Sequence, residues 1–369
     1  MTDISQTLST HTEDAVARPA QDTALVRGWL WSIAFLILLM ILVGGATRLT
    51  DSGLSITEWK PIHGVIPPLS VEEWEEELEK YRQIPEYQLI NKGMSLDEFK
   101  VIFWWEWGHR LLGRVIGFAV FIPLVIFMAR KQISPWLMPR VIALLLLGGL
   151  QGFVGWWMVA SGLTERTDVS QYRLATHLTL ACILLAYTVW LARRISPKRS
   201  VADAAPALRL QSKLLVLFIL IQIALGALVA GLDAGLAYNT WPLMDGALIP
   251  SNLFPMDPWW LSFFESAKTV QFDHRMAAYA LVLFVIWHAW CVYRSSDGVA
   301  QWQVGLLLAT LTLQVALGVL TLLHHVPITL ALAHQEVAAL LLCLAVIHAE
   351  HFTKPLRLHR SAVVPVTAT

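Results

Sequence analysis

Charged side chains are scarce in this chain. Asp, Glu, Lys and Arg make up 15% of its 369 residues, whereas a soluble globular protein has about 25%. Positive charge forms no stripe outside the short loops, which argues against nucleic-acid binding. Hydrophobic residues make up 56% of the chain, in recurring runs long enough to span a bilayer. The sequence therefore predicts a polytopic membrane protein surrounded by membrane lipid.

Cysteine is also scarce. Cys182, Cys291 and Cys343 all lie inside apolar runs, with neither disulfide nor metal-ligand spacing, so we expect them to pack as small apolar side chains. The segment 1–27 contains several acidic residues and no apolar region followed by a cleavage site, unlike a transit or signal peptide. These absences favour the bacterial inner membrane over an organelle.

The apolar runs predict eight membrane-spanning helices in an all-α fold. Lys and Arg concentrate in the loops 130–140 and 193–213 and in the tail 354–369, while the alternate loops are acidic or nearly neutral. The positive-inside rule then places the tails 1–27 and 354–369 in the cytoplasm. The predicted spans are 28–48, 108–129, 138–160, 173–193, 213–233, 274–294, 302–323 and 330–352.

The chain is a tandem repeat, which predicts two four-helix bundles of the same orientation. The first half, 28–200, includes a long acidic outer loop, 49–107, and the second half is 201–353. Ser70 and Ser95 each begin a capping-box pattern in that outer loop, and the second helix is expected to run unbroken into span 2. Matched residues are Gly44, Asp51, Trp59, His109, Arg110, Gln151, Gly155 and His177 with Gly226, Asp233, Trp241, His274, Arg275, Gln314, Gly318 and His334.

Each half offers two histidines near the outer face. His109 and His274 are expected to start spans 2 and 6, and His177 and His334 to lie about one turn into spans 4 and 8. Paired imidazoles in an apolar bundle are typical ligands of six-coordinate haem iron. Arg110 and Arg275 can reach haem propionates with charge-assisted hydrogen bonds.

A rival pattern places a second haem deeper in the second half. His274 and His288 are separated by about four helical turns, or about 21 Å, and so are His334 and His348. This spacing suits two stacked haems, as in a non-catalytic b-type cytochrome that exchanges electrons with quinone. The first half has Pro123 and Leu191 at the corresponding positions.

The two halves differ in their charges near the histidines. The matched pairs are Glu106 with Gln271, Arg48 with Ala230 and Arg114 with Tyr279. Ionisable side chains at membrane depth are costly and indicate function, although an interfacial cluster reaching to water would look the same. We interpret the first half as the reactive one and the second as the holder of a permanent cofactor.

At these positions the sequence resembles the haem A synthase family of bacteria and mitochondria, across all eight spans and their outer loops. The resemblance rests on GGATRLTDSGLS (44–55), EWGHRLLGR (106–114), QGFVGWWMVASGL (151–163), RLATHL (173–178), GLDAGLAYNTWPLM (231–244), QFDHRMAAY (271–279), LQVALG (313–318) and LAHQ (332–335).

The resemblance implies that the enzyme oxidises the C8 methyl of haem O to a formyl group by successive hydroxylations, giving haem A. It implies haem b bound through His274 and His334. Haem O would bind near His109 and His177, with Glu106 as the catalytic carboxylate. Arg48, Arg110, Arg114 and Arg275 complete the predicted cofactor-binding set.

Some family members have a cysteine pair in the outer loops, and this chain has none there, so a thiol-based step is excluded or replaced. The predicted partners are haem O synthase, an electron donor and a second copy of the chain. A transporter is disfavoured, because the spans show no break and no charged site at the midplane.

Overall fold

The computed structural model describes residues 24–59, 63–164, 166–196 and 205–353. In these ranges the chain is helical between its turns and loops and contains no β-strand. Eight helices are long and apolar enough to cross a membrane, which confirms the predicted all-α polytopic fold. The predicted cytoplasmic tail 354–369 and nearly all of the tail 1–27 lie outside the described residues.

The eight candidate spans are joined by three shorter helices, two in the first outer loop and one before the sixth span. In chain order the helices are α1 (Ala24–Leu49), α2 (Val71–Tyr81), α3 (Pro85–Leu89), α4 (Leu96–Ala129), α5 (Met138–Val159), α6 (Gln171–Arg194), α7 (Pro206–Gly231), α8 (Ser262–Glu265), α9 (Ala267–Ser295), α10 (Gly298–Leu323) and α11 (Ile328–His351).

Helices α4 and α9 begin well before the apolar runs that predicted them. Ser95 and Glu98 form the expected capping box, so α4 runs unbroken from the outer loop into the span. Ser266 caps α9 by accepting a hydrogen bond from the Thr269 N–H. Because these caps stabilise extra polar turns, His109 and His274 lie inside their helices, and the expectation that they start the membrane-spanning parts stays a prediction.

The acidic outer loop contains the predicted amphipathic helix, α2. Ser70 accepts the N–H of Glu73, but the Glu73 carboxylate accepts from Leu69 N–H, so only half of the predicted capping box forms. Trp74, Leu78 and Tyr81 form the buried face of α2. This face packs with α4, which fixes the outer loop over the first half of the molecule.

Each half has the same arrangement of helix neighbours. In the first half α1 and α5 both pack against α4 and α6, so α4 and α6 lie on a diagonal. In the second half α7 and α10 both pack against α9 and α11, which form the equivalent diagonal. Between the halves, α6 contacts α7 and α11, and α1 contacts α11. The division into two bundles of the same orientation stays a prediction.

One apolar core joins the two halves. Leu185 of α6, Leu215 of α7 and Leu342 of α11 are fully buried within the same cluster. Large apolar side chains on the outside, such as Phe35 and Leu283, are exposed, as expected for helices surrounded by lipid. The halves therefore share a core and cannot be treated as independently packed bundles.

Candidate functional site

The four predicted histidines lie on the diagonal helices and form two pairs. His109 of α4 is within electrostatic range of His177 of α6, and His274 of α9 is within range of His334 of α11. All four side chains are half-buried. The two pairs occupy repeat-equivalent places in the two halves.

A glycine on the neighbouring helix leaves room for each of these imidazoles. A Cβ atom added to any of the four glycines would approach the ring more closely than ordinary van der Waals contact allows, so a larger residue would displace the histidine. The distances from such a Cβ are 3.1 Å from Gly44 to His109 Nε2, 2.8 Å from Gly155 to His177 Cε1, 3.0 Å from Gly226 to His274 Cε1 and 2.7 Å from Gly318 to His334 Cε1.

Three of the histidines also have a glutamine beside the ring, one helical turn before the glycine. The carboxamide nitrogen lies 3.2 Å from Nδ1 in the Gln151–His177 pair, 3.0 Å in the Gln222–His274 pair and 3.2 Å in the Gln314–His334 pair. The three carboxamide oxygens are buried without a hydrogen-bond partner. In the Gln151 and Gln222 pairs the carboxamide nitrogen also donates to the backbone oxygen of the same histidine, at 3.0 Å each, so these glutamines contact both the ring and the backbone of their histidines.

The contacts of the His334 ring indicate which of its nitrogens carries the proton. Its Nδ1 lies 3.2 Å from the backbone oxygen of Gln314, which can only accept a hydrogen bond. Nδ1–H therefore donates, and Nε2 of the neutral ring has a free lone pair. This arrangement, a ligand nitrogen opposite a hydrogen-bonded one, is the usual one for metal-binding histidines.

Arg110 and Arg275 bind equivalent loops in the two halves. Arg110 donates to the carbonyl oxygens of Ile56 and Glu58, at 2.8 and 3.1 Å. Arg275 donates to the repeat-equivalent carbonyl oxygens of Tyr238 and Thr240, at 2.9 Å each. Both guanidinium groups thus hold the loop that follows α1 or α7, next to the histidine on the same helix. Their predicted contact with propionates stays a prediction.

The side chain at Glu106 is where the surroundings of the two arginines differ most. Its carboxylate, in a residue only 2% exposed, accepts hydrogen bonds from the Ser55 hydroxyl and the Ile56 N–H, both at 2.7 Å. Arg110 donates to the other oxygen at 2.6 Å. In the second half Gln271 replaces the carboxylate. It accepts from Arg275 at 3.0 Å and donates to Ala234 O at 2.7 Å.

Arg48 lies where the two halves meet. Its guanidinium group contacts Asp168 at 2.8 Å, Asp233 at 3.0 Å and Asp51 at 3.3 Å. Asp51 and Asp233 are repeat equivalents, and both have a left-handed backbone, with φ of 49° and 47°. Burial raises the pKa of Asp168, although the charge of Arg48 opposes this. Arg114 is half-buried on α4 one turn beyond Arg110.

The inner histidines form a different kind of pair. His288 Nε2 and His348 Nε2 are 3.0 Å apart, and both residues are fully buried. Gln211 and Gln303 contact their Nδ1 atoms at 3.0 and 3.2 Å. Two imidazoles on opposite sides of one metal ion, with bonds of about 2.0 Å, would place these nitrogens about 4 Å apart. The observed separation of 3.0 Å is shorter than this, and the rival second haem stays a prediction.

The four outer histidines fit haem. Each half supplies two imidazoles on diagonal helices and a glycine where a Cβ would fill the space beside each ring. A glutamine contacts Nδ1 of three of the four rings. Imidazole donors on facing helices are suited to haem iron. The sequence prediction missed the positions of the glutamines as ring contacts. The pattern that could have revealed them is a glutamine four residues before a glycine, which occurs in three of the four equivalent places.

The fold and the site define an eight-helix membrane protein with a repeated paired-imidazole site. The model of one family, Cytochrome oxidase assembly protein (COX15-CtaA), matches residues 27–346. The chain belongs to this family.

Several bacterial proteins are more than half identical to this chain over the residues that align. A "Heme A synthase" from Agrobacterium fabrum is 54% identical over 91% of this chain and 92% of its own length. Proteins of the same name from Chelativorans sp. and Bradyrhizobium diazoefficiens are each 55% identical. They cover 88% and 91% of this chain and 90% and 93% of their own lengths.

Proposed function

We propose that this protein is a haem A synthase, which oxidises the C8 methyl group of haem O to a formyl group by successive hydroxylations. The observation that carries this proposal is the repeated histidine pair with a buried carboxylate, Glu106, in the first half only. Similarity to proteins named Heme A synthase over nearly their whole length supports it. The product would supply haem A for cytochrome oxidase.

The two pairs would have separate tasks. His109 and His177 would bind the substrate haem O, and later the product haem A, beside Glu106. His274 and His334 would hold haem b, whose redox-active iron would supply a route for electrons when bound. The diagonal helices and the Gly318 and Gly226 positions fit such a group. Arg110 and Arg275 would orient the bound haems through the loops that they hold.

Glu106 would act by its charge. Three donors converge on its two oxygens, from Ser55, Ile56 and Arg110, so the carboxylate is held rigidly near His109 on the same helix. A preorganised charge in a site that excludes water stabilises charge that develops in a reaction. Glu106 would therefore stabilise positive charge on the substrate. The crowding around the oxygens favours this role over proton transfer.

The proposal includes the setting of the enzyme. Eight apolar helices make it a multi-pass membrane protein, and we place it in the bacterial inner membrane with both termini cytoplasmic. In that orientation both histidine pairs lie toward the outer face. Haem O synthase would deliver the substrate, and a membrane electron donor would reduce the protein.

The decisive experiment is Glu106→Gln, because the protein itself contains the matched arrangement. Gln271 occupies the equivalent place and binds Arg275 and a backbone carbonyl, so glutamine is compatible with this scaffold. We expect haem A production to be lost while the haem b spectrum persists. The measurement is mass identification of extracted haems from cells that make haem O.

A control and a contrary result complete this experiment. Glu75→Gln, at an exposed position of α2, should leave production unchanged. Unchanged haem A in Glu106→Gln would reject the catalytic role. The alternative function, a dihaem cytochrome for quinone, predicts that only haem b is extracted from the wild-type protein. The direct contact between His288 and His348 argues against it.

A further inference from the structure

The four histidines are not held equally. Glutamines lie beside His177, His274 and His334 at 3.0–3.2 Å from Nδ1. Within the described parts of the chain, no group forms a hydrogen bond with the ring of His109, which lies against the backbone of Gly44 on α1. The difference therefore concerns one histidine in the first half.

Met40 stands where the missing glutamine would be. It lies one turn before Gly44, as Gln222 lies one turn before Gly226, and the two segments are repeat equivalents. A Cβ on Gly113 would meet the Met40 methyl carbon at 3.1 Å. The thioether side chain thus lies along α4, one turn beyond His109, and has no amide that could hold the ring.

Hydrogen bonds to the second ring nitrogen matter for metal affinity. They fix the orientation of the imidazole and raise its basicity, and removal of such a partner typically weakens metal binding about 10–100-fold. A ring without this partner turns more freely and leaves the metal more readily. By this criterion both ligands in the second half are held, whereas the first half has one held and one unheld ligand.

We propose that His109 is the exchangeable ligand of the substrate haem and that Met40 is the positioning residue that makes it so. Gln151 keeps His177 in place, so haem O stays bound through one ligand while the other detaches. This inference rests on the proposed function, because a substrate haem must enter and leave whereas a cofactor haem stays. In ligand exchange the bond between iron and His109 Nε2 breaks and the iron binds another ligand, with no change in oxidation state.

Carbon monoxide replacement tests this directly in the full-length protein, purified in detergent, loaded with haem O and chemically reduced. Carbon monoxide binds a six-coordinate haem only after a histidine has left, so its rate reports ligand release without turnover. We expect two phases in the wild type. The fast phase belongs to the first half if it disappears in His177→Ala.

The informative variants exchange the two residues. Met40→Gln should slow the fast phase about 10–100-fold, and Gln222→Met should accelerate the slow phase by a similar factor. Met40→Leu, which keeps the apolar contact, should match the wild type. Unchanged rates in both exchange variants would overturn the proposal. A large effect of Met40→Leu would also overturn it, because the thioether itself would then be the important group.

The test separates this inference from the proposed function. If extraction yields no haem A from active cells but Met40→Gln still slows exchange, the proposed function fails and the role of Met40 stands. If haem A is made and the rates do not respond to either exchange, only the inference about His109 fails.

Discussion

The two halves of this protein share a scaffold and differ in a few side chains beside it. Both have an arginine bound to carbonyls of the loop that follows α1 or α7, and both have glycines facing their histidines. The first half has Glu106 and Met40 where the second has Gln271 and Gln222. By our proposal, the duplicated elements serve to bind haem, whereas the divergent ones alter the charge and the ligand exchange at the haem of the first half.

At the end of the helices far from Arg110 and Arg275, it is the second half that has the additional polar side chains. There the second half contains the buried hydrogen-bonded pair His288 and His348, each beside a glutamine. The first half has Pro123 and Leu191 at those positions, and Leu191 is fully buried in the apolar core. A satisfied buried polar network makes a local structure more specific. The second half, which is proposed to keep its haem, thus also has an additional buried polar network.

The largest effect is expected from removing one of the outer histidines at a time. His334→Ala should remove the haem b spectrum from the purified protein, since an iron ligand is lost, and His274→Ala should do the same. His177→Ala should leave that spectrum intact and abolish haem A production. Absorption spectra of the reduced proteins measure this.

His324→Ala is the control, because His324 is exposed after the end of α10. Retention of the full haem b spectrum in both His274→Ala and His334→Ala would reject the assignment of the cofactor to the second half.

A smaller loss is expected when a glycine beside a histidine is replaced. In Gly318→Ala the new Cβ would lie 2.7 Å from His334 Cε1, so the ring must move and haem b occupancy should fall several-fold. Gly148→Ala is the matched control, since no heavy atom lies within 4 Å of its added Cβ. The ratio of haem to protein measures both, and equal ratios would contradict a role for Gly318 in haem binding.

Much of this site was predictable because the chain contains its own comparison. Apolar runs predicted all eight spans, and the repeat predicted which histidines pair. A capping box depends only on residues that are close in sequence, and the one predicted at Ser95 forms as expected. At Ser70 the same pattern failed by one residue, because the Glu73 carboxylate found Leu69 N–H instead.

Long-range contacts were not predictable in this way. The structure surrounds Arg48 with carboxylates from three separate loops, and its predicted role in binding cofactor stays a prediction. Nothing local in the sequence indicates that Asp168 and Asp233 meet it. The direct contact of His288 with His348 likewise depends on how closely α9 and α11 approach at that end, which helical spacing alone does not determine.

Arg48→Gln tests how much the ion pairs at the junction of the two halves contribute to stability. Asp51, Asp168 and Asp233 would lose their shared cation, and hydrogen bonds to a charged group each contribute about 1.5–3 kcal/mol. Because these carboxylates are partly exposed, we expect the free energy of unfolding to fall by about 1–3 kcal/mol. Denaturation in detergent measures it. Arg82→Gln, which removes an exposed pair with Glu79, should cost much less than Arg48→Gln, and an equal loss in both would contradict a special role for Arg48.

The smallest effect concerns the outer helices that only the first half possesses. Burial raises the pKa of the Glu86 carboxyl to about 8, and the charges of Asp51 and Asp168 add to this, while a hydrogen bond from Tyr81 opposes it. An unfolded glutamate titrates near pH 4.3. Between these pH values the folded loop holds one proton more than the unfolded loop, so its stability is greatest below about pH 4 and falls as the pH rises toward 8.

Glu86→Gln should remove this pH dependence, because an amide fills the same place without ionising. We expect α2 and α3 to be better protected from hydrogen exchange in the variant than in the wild type at pH 9, and equally protected at pH 5. Glu75→Gln, on the exposed face of α2, should follow the wild type at both pH values. The same fall in protection between pH 5 and pH 9 in Glu86→Gln and in the wild type would show that another group governs the loop. In that case the stability of the outer loop would come from the packing of buried side chains such as Tyr81 and Phe99. The neutral Glu86 carboxyl would then contribute nothing to it.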